Sequence, residues 1–405
     1  MIYIFIFLLK LNEDIQLENS KNEFKLKPED RLILSCGHSQ VNDELEKKIM
    51  KLVNLDLDWK YIMDMATRHR LRPLLYHNLN KICPDKVPDD VLASSREFYH
   101  SNVRKNLMMT GELVKVMKLL EENGVNAVTY KGPVLAQMAY GNVGYREFGD
   151  IDVFISKNDA IKAKKIMLDW GYNLKDKIKV EESLYLSLDS EYRFLNKNKT
   201  ALIEINWNFE GLFLSFSRSP EFLLSNLETF NYNGFAFKIP KITNHLLMLA
   251  IHSSNHNWNR LSWINDIAQF IRINNIYWSE VLIKAEEIGV KRILLINLFL
   301  AKDLFDLDLP EEVLIHIKSD NKVQKTSFEI KKRFFNEENL NLFGKLILNL
   351  KKREAVKYGI KDCFKSLTKP DYRIFEFFPL PRAIFPLYYF IKPFIIIIKY
   401  GSGPI

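Results

Sequence analysis

"YKGPVLAQMAYGNVGYREFGDIDVFI", residues 130–155, puts a Lys-Gly-Pro turn, an arginine and an Asp-x-Asp pair into one short stretch. Its periodicity changes within a few residues. Val125 to Tyr130 read as a strand, Lys131-Gly132 as a turn, and Pro133 stands where a new helix begins, because its missing N–H costs nothing there. The loop "GNVGYREFG" then leads into "DIDVFI", a compact apolar strand that begins with two carboxylates. A strand, turn, helix, loop, strand order of this kind belongs to a mixed α/β core rather than to a bundle or a sandwich.

Outward from this block, "AIKAKKIMLDWG" reads as a helix capped by Ser156 or Asp159 and ended by Gly171. "YRFLNKNKTALIEINWNF" reads as two strands around a turn at Asn196 to Thr200. Upstream, residues 42–82 carry helical spacing at Trp59, Ile62, Met63 and Ala66, with a break marked by Pro73. In "NLMMTGELVKVMKLLEENG", Leu113, Val116, Met117 and Leu120 recur on one helical face before Gly124. From Asn244 onward the pattern is helical again. The expected organisation is an N-terminal extension (1–40), a helical region (41–120), an α/β core (121–210), a C-terminal helical region (211–370) and an apolar aromatic tail (371–405), packed as one body.

Two aspartates two residues apart on a strand leave the same face, so Asp150 and Asp152 can direct their oxygens at one cation. Hard oxygen donors suit Mg²⁺ or Mn²⁺, which take one or two protein carboxylates and complete their shells with water and phosphate. The pair alone is weak evidence, since such pairs also occur on solvated strand ends. It gains weight from lying on a strand that reads as buried, and from a third acid, Glu204, inside another apolar strand, "ALIEINWNF". Three carboxylates on adjacent strands are the equipment of two-metal phosphoryl chemistry. Lys131 and the amides at the following helix start can receive phosphate oxygens, Gly132 permits close approach, and Arg146 can neutralise phosphate charge.

The 405-residue chain has ordinary globular composition, 47% hydrophobic and 27% charged, so disorder is not the default. A net charge of +8 favours anionic partners, but a solvated lysine-rich surface meets the same number, and no strong nucleic-acid signal accompanies it. Three dispersed cysteines, Cys36, Cys83 and Cys363, suggest neither a disulfide framework nor a CxxC metal site and fit a reducing cytoplasm. The start, "MIYIFIFLLKLNED", reads as a poor signal peptide and is too short to span a bilayer. "FEFFPLPRAIFPLYYFIKPFIIIIKY", residues 375–400, is apolar but broken by prolines and charges. It would suit docking on the protein's own core, the preferred reading, or peripheral contact with the inner membrane surface. P-loop, dinucleotide-binding and serine-hydrolase motifs are not found.

The block resembles the nucleotidyltransferase fold of the polymerase β type, in particular a poorly characterised bacterial nucleotidyltransferase family with a "KG…Y…R…DiD" signature. The likeness extends in order through "MATRHRLRPLLYHNL", "IEINWNF", "HSSNHNWNRLSWINDIAQFI" and "WSEVLIKAEEIGVKR", roughly residues 55 to 310, and "PLYYFIKPFIIIIKY" is similar to the family's tail. The resemblance implies an α+β fold, a polymerase β-like mixed-sheet core between helical regions. It implies Asp150, Asp152 and Glu204 as the catalytic, metal-binding acids, with Lys131, Gly132 and Arg146 on the phosphate side of a nucleoside triphosphate. Three positions depart from the pattern: Lys-Gly-Pro replaces the superfamily's Gly-Ser, Asn206 replaces a frequent histidine, and the third acid is Glu. A catalytically inactive nucleotide-binding or scaffold protein of the same fold is therefore the alternative.

His252 and His256, four apart on a helix that also carries His245, could form a zinc-like pair, but no third ligand is evident. Structural or substrate-facing histidines are preferred. Asp266 could pair with Arg260 or face the cleft, and the resemblance favours the cleft. Trp258, Trp263 and Trp278 read as core before they read as base-stacking residues. A sugar phosphate or other small molecule, a nucleic-acid end and a protein side chain are all open as acceptors.

Overall fold

The computed structural model describes residues 24–178, 180–208, 216, 224–336, 338, 340–369, 384 and 387–392. Five helices come first: α1 (Pro28–Ser35), α2 (Asp43–Val53), α3 (Trp59–Arg68), α4 (Arg72–Ile82) and the long α5 (Asp89–Glu122). The mixed core follows as β1 (Ala127–Val128), α6 (Gly132–Tyr140), β2 (Asp150–Ile155), α7 (Ala160–Asp169), β3 (Asn173–Leu174), α8 (Glu182–Leu188), β4 (Glu191–Leu195) and β5 (Leu202–Asn206). A hairpin, β6 (Glu228–Tyr232) and β7 (Phe235–Ile239), leads to α9 (Ile242–Asn255), α10 (Leu261–Ile273), α11 (Trp278–Glu287) and α12 (Lys291–Phe305). The described chain continues through α13 (Glu311–Ser319), α14 (Asn321–Asn336), α15 (Leu342–Lys351) and α16 (Val356–Thr368).

The chain is α+β. Five strands form one mixed sheet in the order β1-β2-β5-β4-β3, in which β2 and β5 run parallel and the other neighbours antiparallel. The period of two along each strand divides this sheet into unlike faces. Ile151, Val153, Tyr192, Phe194, Ile203 and Ile205 are fully buried on one face. The other face carries Asp150, Asp152, Glu204, Glu191 and Arg193, set by the register that pairs Asp152 with Glu204 and Glu204 with Arg193. One hydrophobic cluster runs from Leu32 to Leu348, joining sheet and helices through a shared core.

Local signals explain most boundaries. Gly124 and Gly171 adopt φ of +67° and +84° beyond the ends of α5 and α7. Asn196 Oδ1 accepts from Thr200 N at 2.8 Å and from Ala201 N at 3.2 Å, which closes the β4–β5 turn where it was expected. Ser156 caps a short 3-10 turn over Lys157–Asp159, and α7 begins one residue later. Expected β1 shrinks to two residues, because the segment after Val128 leaves the sheet: Thr129 N donates to Lys238 O of β7 at 3.1 Å. Pro73 lies inside the first turn of α4 rather than in a break. The helix boundary falls at His69 to Leu71, where Arg70 takes a φ of +56°.

Among the described residues no helix is long and apolar enough to cross a membrane. Cys36, Cys83 and Cys363 are free and buried. Most of the 375–400 stretch lies outside the described residues; within it Tyr388 is buried, Phe390 is exposed, and Lys392 donates from Nζ to Lys369 O.

Candidate active site

The polar face of the sheet opens into a cleft of about 540 Å³ lined by the α3–α4 junction, the Lys131 turn, the loop at Arg146 to Phe148, β2, the β4–β5 hairpin, and the turn between α9 and α10 with the start of α10. Each wall has an identifiable anchor. Thr129 Oγ1 donates to the Asp152 carbonyl at 3.1 Å, and His245 Nε2 donates to the Tyr130 carbonyl at 2.6 Å, so α9 grips the segment just before Lys131. Burial holds the His245 imidazole down to about 4, which keeps it neutral and fixes its tautomer for that bond. Gly132 has a φ of +56°, which a side chain tolerates poorly, and Pro133 follows in the first turn of α6.

The loop between α6 and β2 is braced by α5. Asn102 Nδ2 donates to the carbonyls of Gly144 and Arg146 at 3.0 and 3.3 Å, and Asn106 Nδ2 to those of Val143 and Arg146 at 2.7 and 2.8 Å. Lys105 Nζ donates to the Phe148 carbonyl. These contacts satisfy a buried loop backbone that could not otherwise stay dry. A Cβ at Gly144 would meet Val103 Cγ2 at 2.8 Å, so the loop can lie this close to α5 only with glycine there.

Asp150, Asp152 and Glu204 all line the cleft, with Glu191 beside them. Asp152 is 7% exposed and faces Lys131 Nζ at 3.4 Å. Desolvation and then Asp150 push its carboxyl upward, while Lys131 works against them. Burial pushes Glu204 up to about 8, reinforced by Glu191, Asp152 and Asp150. Burial and then Asp189 push Glu191 up to about 7. The cation opposite Glu204 does not relieve it, because Arg193 turns away to Asp176, with hydrogen bonds of 2.7 and 2.8 Å. Lys131 is desolvated, yet Asp152 holds its pKa above the ordinary lysine value.

Crowded acids of this kind are what a hard cation relieves, and oxygen donors suit Mg²⁺ or Mn²⁺. The acids are not gathered into a ready-made cage, since among the described residues no group of three or more His, Cys, Asp or Glu side chains is placed to hold a metal ion. His252 and His256 line the cleft with ring centroids 4.7 Å apart, and Trp263 packs 5.3 and 4.9 Å from them. Burial, then Lys131, holds His252 well below its ordinary range, and the same two causes bring His256 down to about 4. The two rings are neutral and aromatic-packed.

One expectation is corrected. Asp266 does not face the cleft: it is 2% exposed beneath the cleft wall, where Arg146 Nε and Nη2 donate to its two oxygens at 2.8 and 2.9 Å and Tyr140 Oη adds a bond of 2.7 Å. Arg146 lines the cleft, with its charge already paired to Asp266. A guanidinium this deeply buried is tolerable only with such a partner.

Sequence reasoning missed the cations that are uncommitted. Arg70 and Arg260 line the cleft from the α3–α4 junction and from the start of α10, and neither side chain has a hydrogen-bond or ion-pair partner among the described residues. Arg260 lies over the Trp263 ring at 5.3 Å, and desolvation followed by repulsion from Arg70 lowers its pKa. Glu191 and Arg193 carried a usable signal, the alternation in "EYRFL", whereas Arg70 carried none.

Residues 55–306 match a family described as an uncharacterised nucleotidyltransferase. The chain belongs to that family. The match spans α3 to α12 and so includes every wall of the cleft. No curated protein matches the chain. Family membership supports a transferase, and the mixed sheet with its acidic face is consistent with a nucleotidyltransferase fold.

Proposed function

We propose that the chain is a Mg²⁺-dependent nucleotidyltransferase that moves a nucleoside monophosphate from an NTP to an acceptor and releases pyrophosphate. One observation carries the reading: in a member of this family, Asp150, Asp152 and Glu204 share one face of adjacent parallel strands beside a glycine turn that opens a helix.

Asp150 and Asp152 would hold the divalent cation, which supplies charge neutralisation for the triphosphate when bound. Lys131 and the first amides of α6 receive phosphate oxygens, with Gly132 allowing close approach. Arg70 and Arg260, rather than Arg146, supply further positive charge for the departing pyrophosphate. An acceptor oxygen forms the new bond to the α-phosphorus as the bond to the β-phosphate bridging oxygen breaks. Its proton passes to a nearby carboxylate, for which Glu204 is chosen because it lines the cleft opposite Asp152 on the neighbouring strand. Neutral His252 and His256 with Trp263 offer an aromatic wall for the nucleoside.

The Lys131 contact to Asp152 favours a second reading, a nucleotide binder without turnover, because an ammonium already serves this acid as counter-ion. Purified protein given labelled NTPs, Mg²⁺ and a metabolite and protein mixture separates the two. Pyrophosphate release that Asp150→Asn and Asp152→Asn abolish supports transfer; NTP binding by calorimetry with no release supports the binder. Undiminished transfer in both variants removes the assignment of these acids.

A further inference from the structure

Beside the cleft lies a smaller cavity of about 240 Å³, an annex bounded by the ends of α3 and α14, the start of α15 and the turn after α9. Asn255, His256 and Asn259 line both cavities, so this turn is their common boundary. The turn is held in an uncommon conformation, with φ of +54° at Asn257 and +50° at Trp258. Trp258 locks it from behind, since the ring is buried and Nε1 donates to Asn297 Oδ1 at 3.0 Å. A wall shared by two cavities and fixed by a buried anchor can hold two groups at a constant separation.

The annex is basic. Among the described residues, Arg68, Arg333 and Lys345 line it, against one acid, Glu338. Arg333 donates from Nη2 to the Asn257 carbonyl at 3.1 Å, yet it has no carboxylate within ion-pair distance among the described residues. Lys345 Nζ also has no hydrogen-bond or ion-pair partner among them. Desolvation pushes Arg333 down to about 10 and lowers Lys345 as well. Guanidinium and ammonium groups facing a partly dry cavity are under-neutralised, and an anion entering the cavity gains charge-assisted hydrogen bonds from both. The mechanism proposed above uses none of these three cations.

We propose that the annex is the acceptor subsite, and that the acceptor is a small molecule whose anionic group, phosphate or carboxylate, is held by Arg333 and Lys345 while its reactive oxygen reaches over the 255–259 turn to the nucleotide. The assignment of the annex as an acceptor site rests on the transferase reading; its anion binding does not.

The test uses the full chain with the main cleft filled by saturating Mg²⁺ and a non-hydrolysable ATP analogue. Inorganic phosphate and malonate are then titrated in separate calorimetric runs. Residual phosphate or malonate binding is expected, and the stronger of the two names the acceptor's charged group. Lys345→Ala is expected to weaken that binding about tenfold, and Glu338→Gln to strengthen it, a gain that a merely structural role would not produce. Arg333→Gln is a second variant, compared only after its melting curve matches the parent. No anion binding with the cleft filled means that the terminal phosphates of the nucleotide use the annex, or that nothing does, and overturns the proposal. Binding unchanged in Lys345→Ala and Arg333→Gln also overturns it. Asp150→Asn with Asp152→Asn separates the two readings: anion binding that persists there while transfer is lost supports both, and anion binding in a protein that never transfers leaves an anion site and removes only its acceptor role.

Discussion

Arg146 and Asp266, 120 residues apart, meet in two parallel hydrogen bonds of 2.8 and 2.9 Å in a buried position behind the cleft wall. The pair ties the loop that leads into the Asp150 strand to α10, and Tyr140 Oη joins it from α6 at 2.7 Å. Sheet, turn helix and helical region are thereby fixed to one another at a single charged node.

Removing one partner leaves the other charge buried and unpaired. Asp266→Ala is expected to lower unfolding stability by about 3 to 5 kcal/mol, and Tyr140→Phe by only about 1 kcal/mol. Urea melts of the two variants check this. A loss below that of Tyr140→Phe in Asp266→Ala would mean that the node does not hold the walls together.

Glu204 makes stability depend on pH with a definite sign. Its folded-state pKa lies above the ordinary 4.5, at about 8, so the folded chain holds the proton more tightly than the unfolded chain does. The stability this carboxyl contributes is complete below about pH 4.5 and is lost as pH rises through about 8. Glu204→Gln is therefore expected to stabilise the metal-free protein by on the order of 2 kcal/mol at pH 9 and to change it little at pH 5. Paired melts at the two pH values check the difference, and an equal effect at both would contradict it.

The histidine pair has the opposite sign. His256 is brought down from 6.5 to about 4, so the unfolded chain takes up protons before the folded chain does. Stability present above pH 6.5 is lost as pH falls toward 4. Between pH 5.5 and 8 the ring-proton NMR shifts of His252 and His256 are expected to stay constant. A titration midpoint near 6.5 for either ring would refute the assignment of neutral, desolvated side chains.

Gly132→Ala tests the turn. With φ at +56°, a Cβ is expected to cost about 1 to 2 kcal/mol. The ordinary van der Waals space at this position, 3.5 Å to the Asp150 carbonyl, leaves backbone conformation as the main cause. Gly149→Ala, whose Cβ meets nothing within 4 Å, serves as the control and is expected to cost less. Equal losses in the two would remove the special status of Gly132.

Much of this was written locally. The change of period around residue 130, the glycine stops at Gly124 and Gly171, the Asn196 turn and the alternation in "DIDVFI" and "ALIEINWNF" specify elements and faces without reference to the rest of the chain. Those two patterns also set Asp150, Asp152 and Glu204 among apolar neighbours, because a period of two fixes the face as soon as the strand is known.

What each charge pairs with was not local. Arg146 read as a phosphate ligand, and Asp266 as a cleft residue, until tertiary packing brought them within 2.8 Å and cancelled both charges. Arg193 left Glu204 for Asp176, Lys131 took Asp152, and Arg70 and Arg260, unremarkable in sequence, were left facing the cleft without ion-pair or hydrogen-bond partners among the described residues. By itself the sequence determined most strands and turns and the alternation that puts Asp150 and Asp152 on one face of their strand, since these follow from the backbone and its nearest neighbours, whereas the β2–β5 register brought Glu204 to that face. Only the tertiary structure decided which cations remain free to bind an anion, because neutralisation depends on distances between residues that the chain keeps far apart.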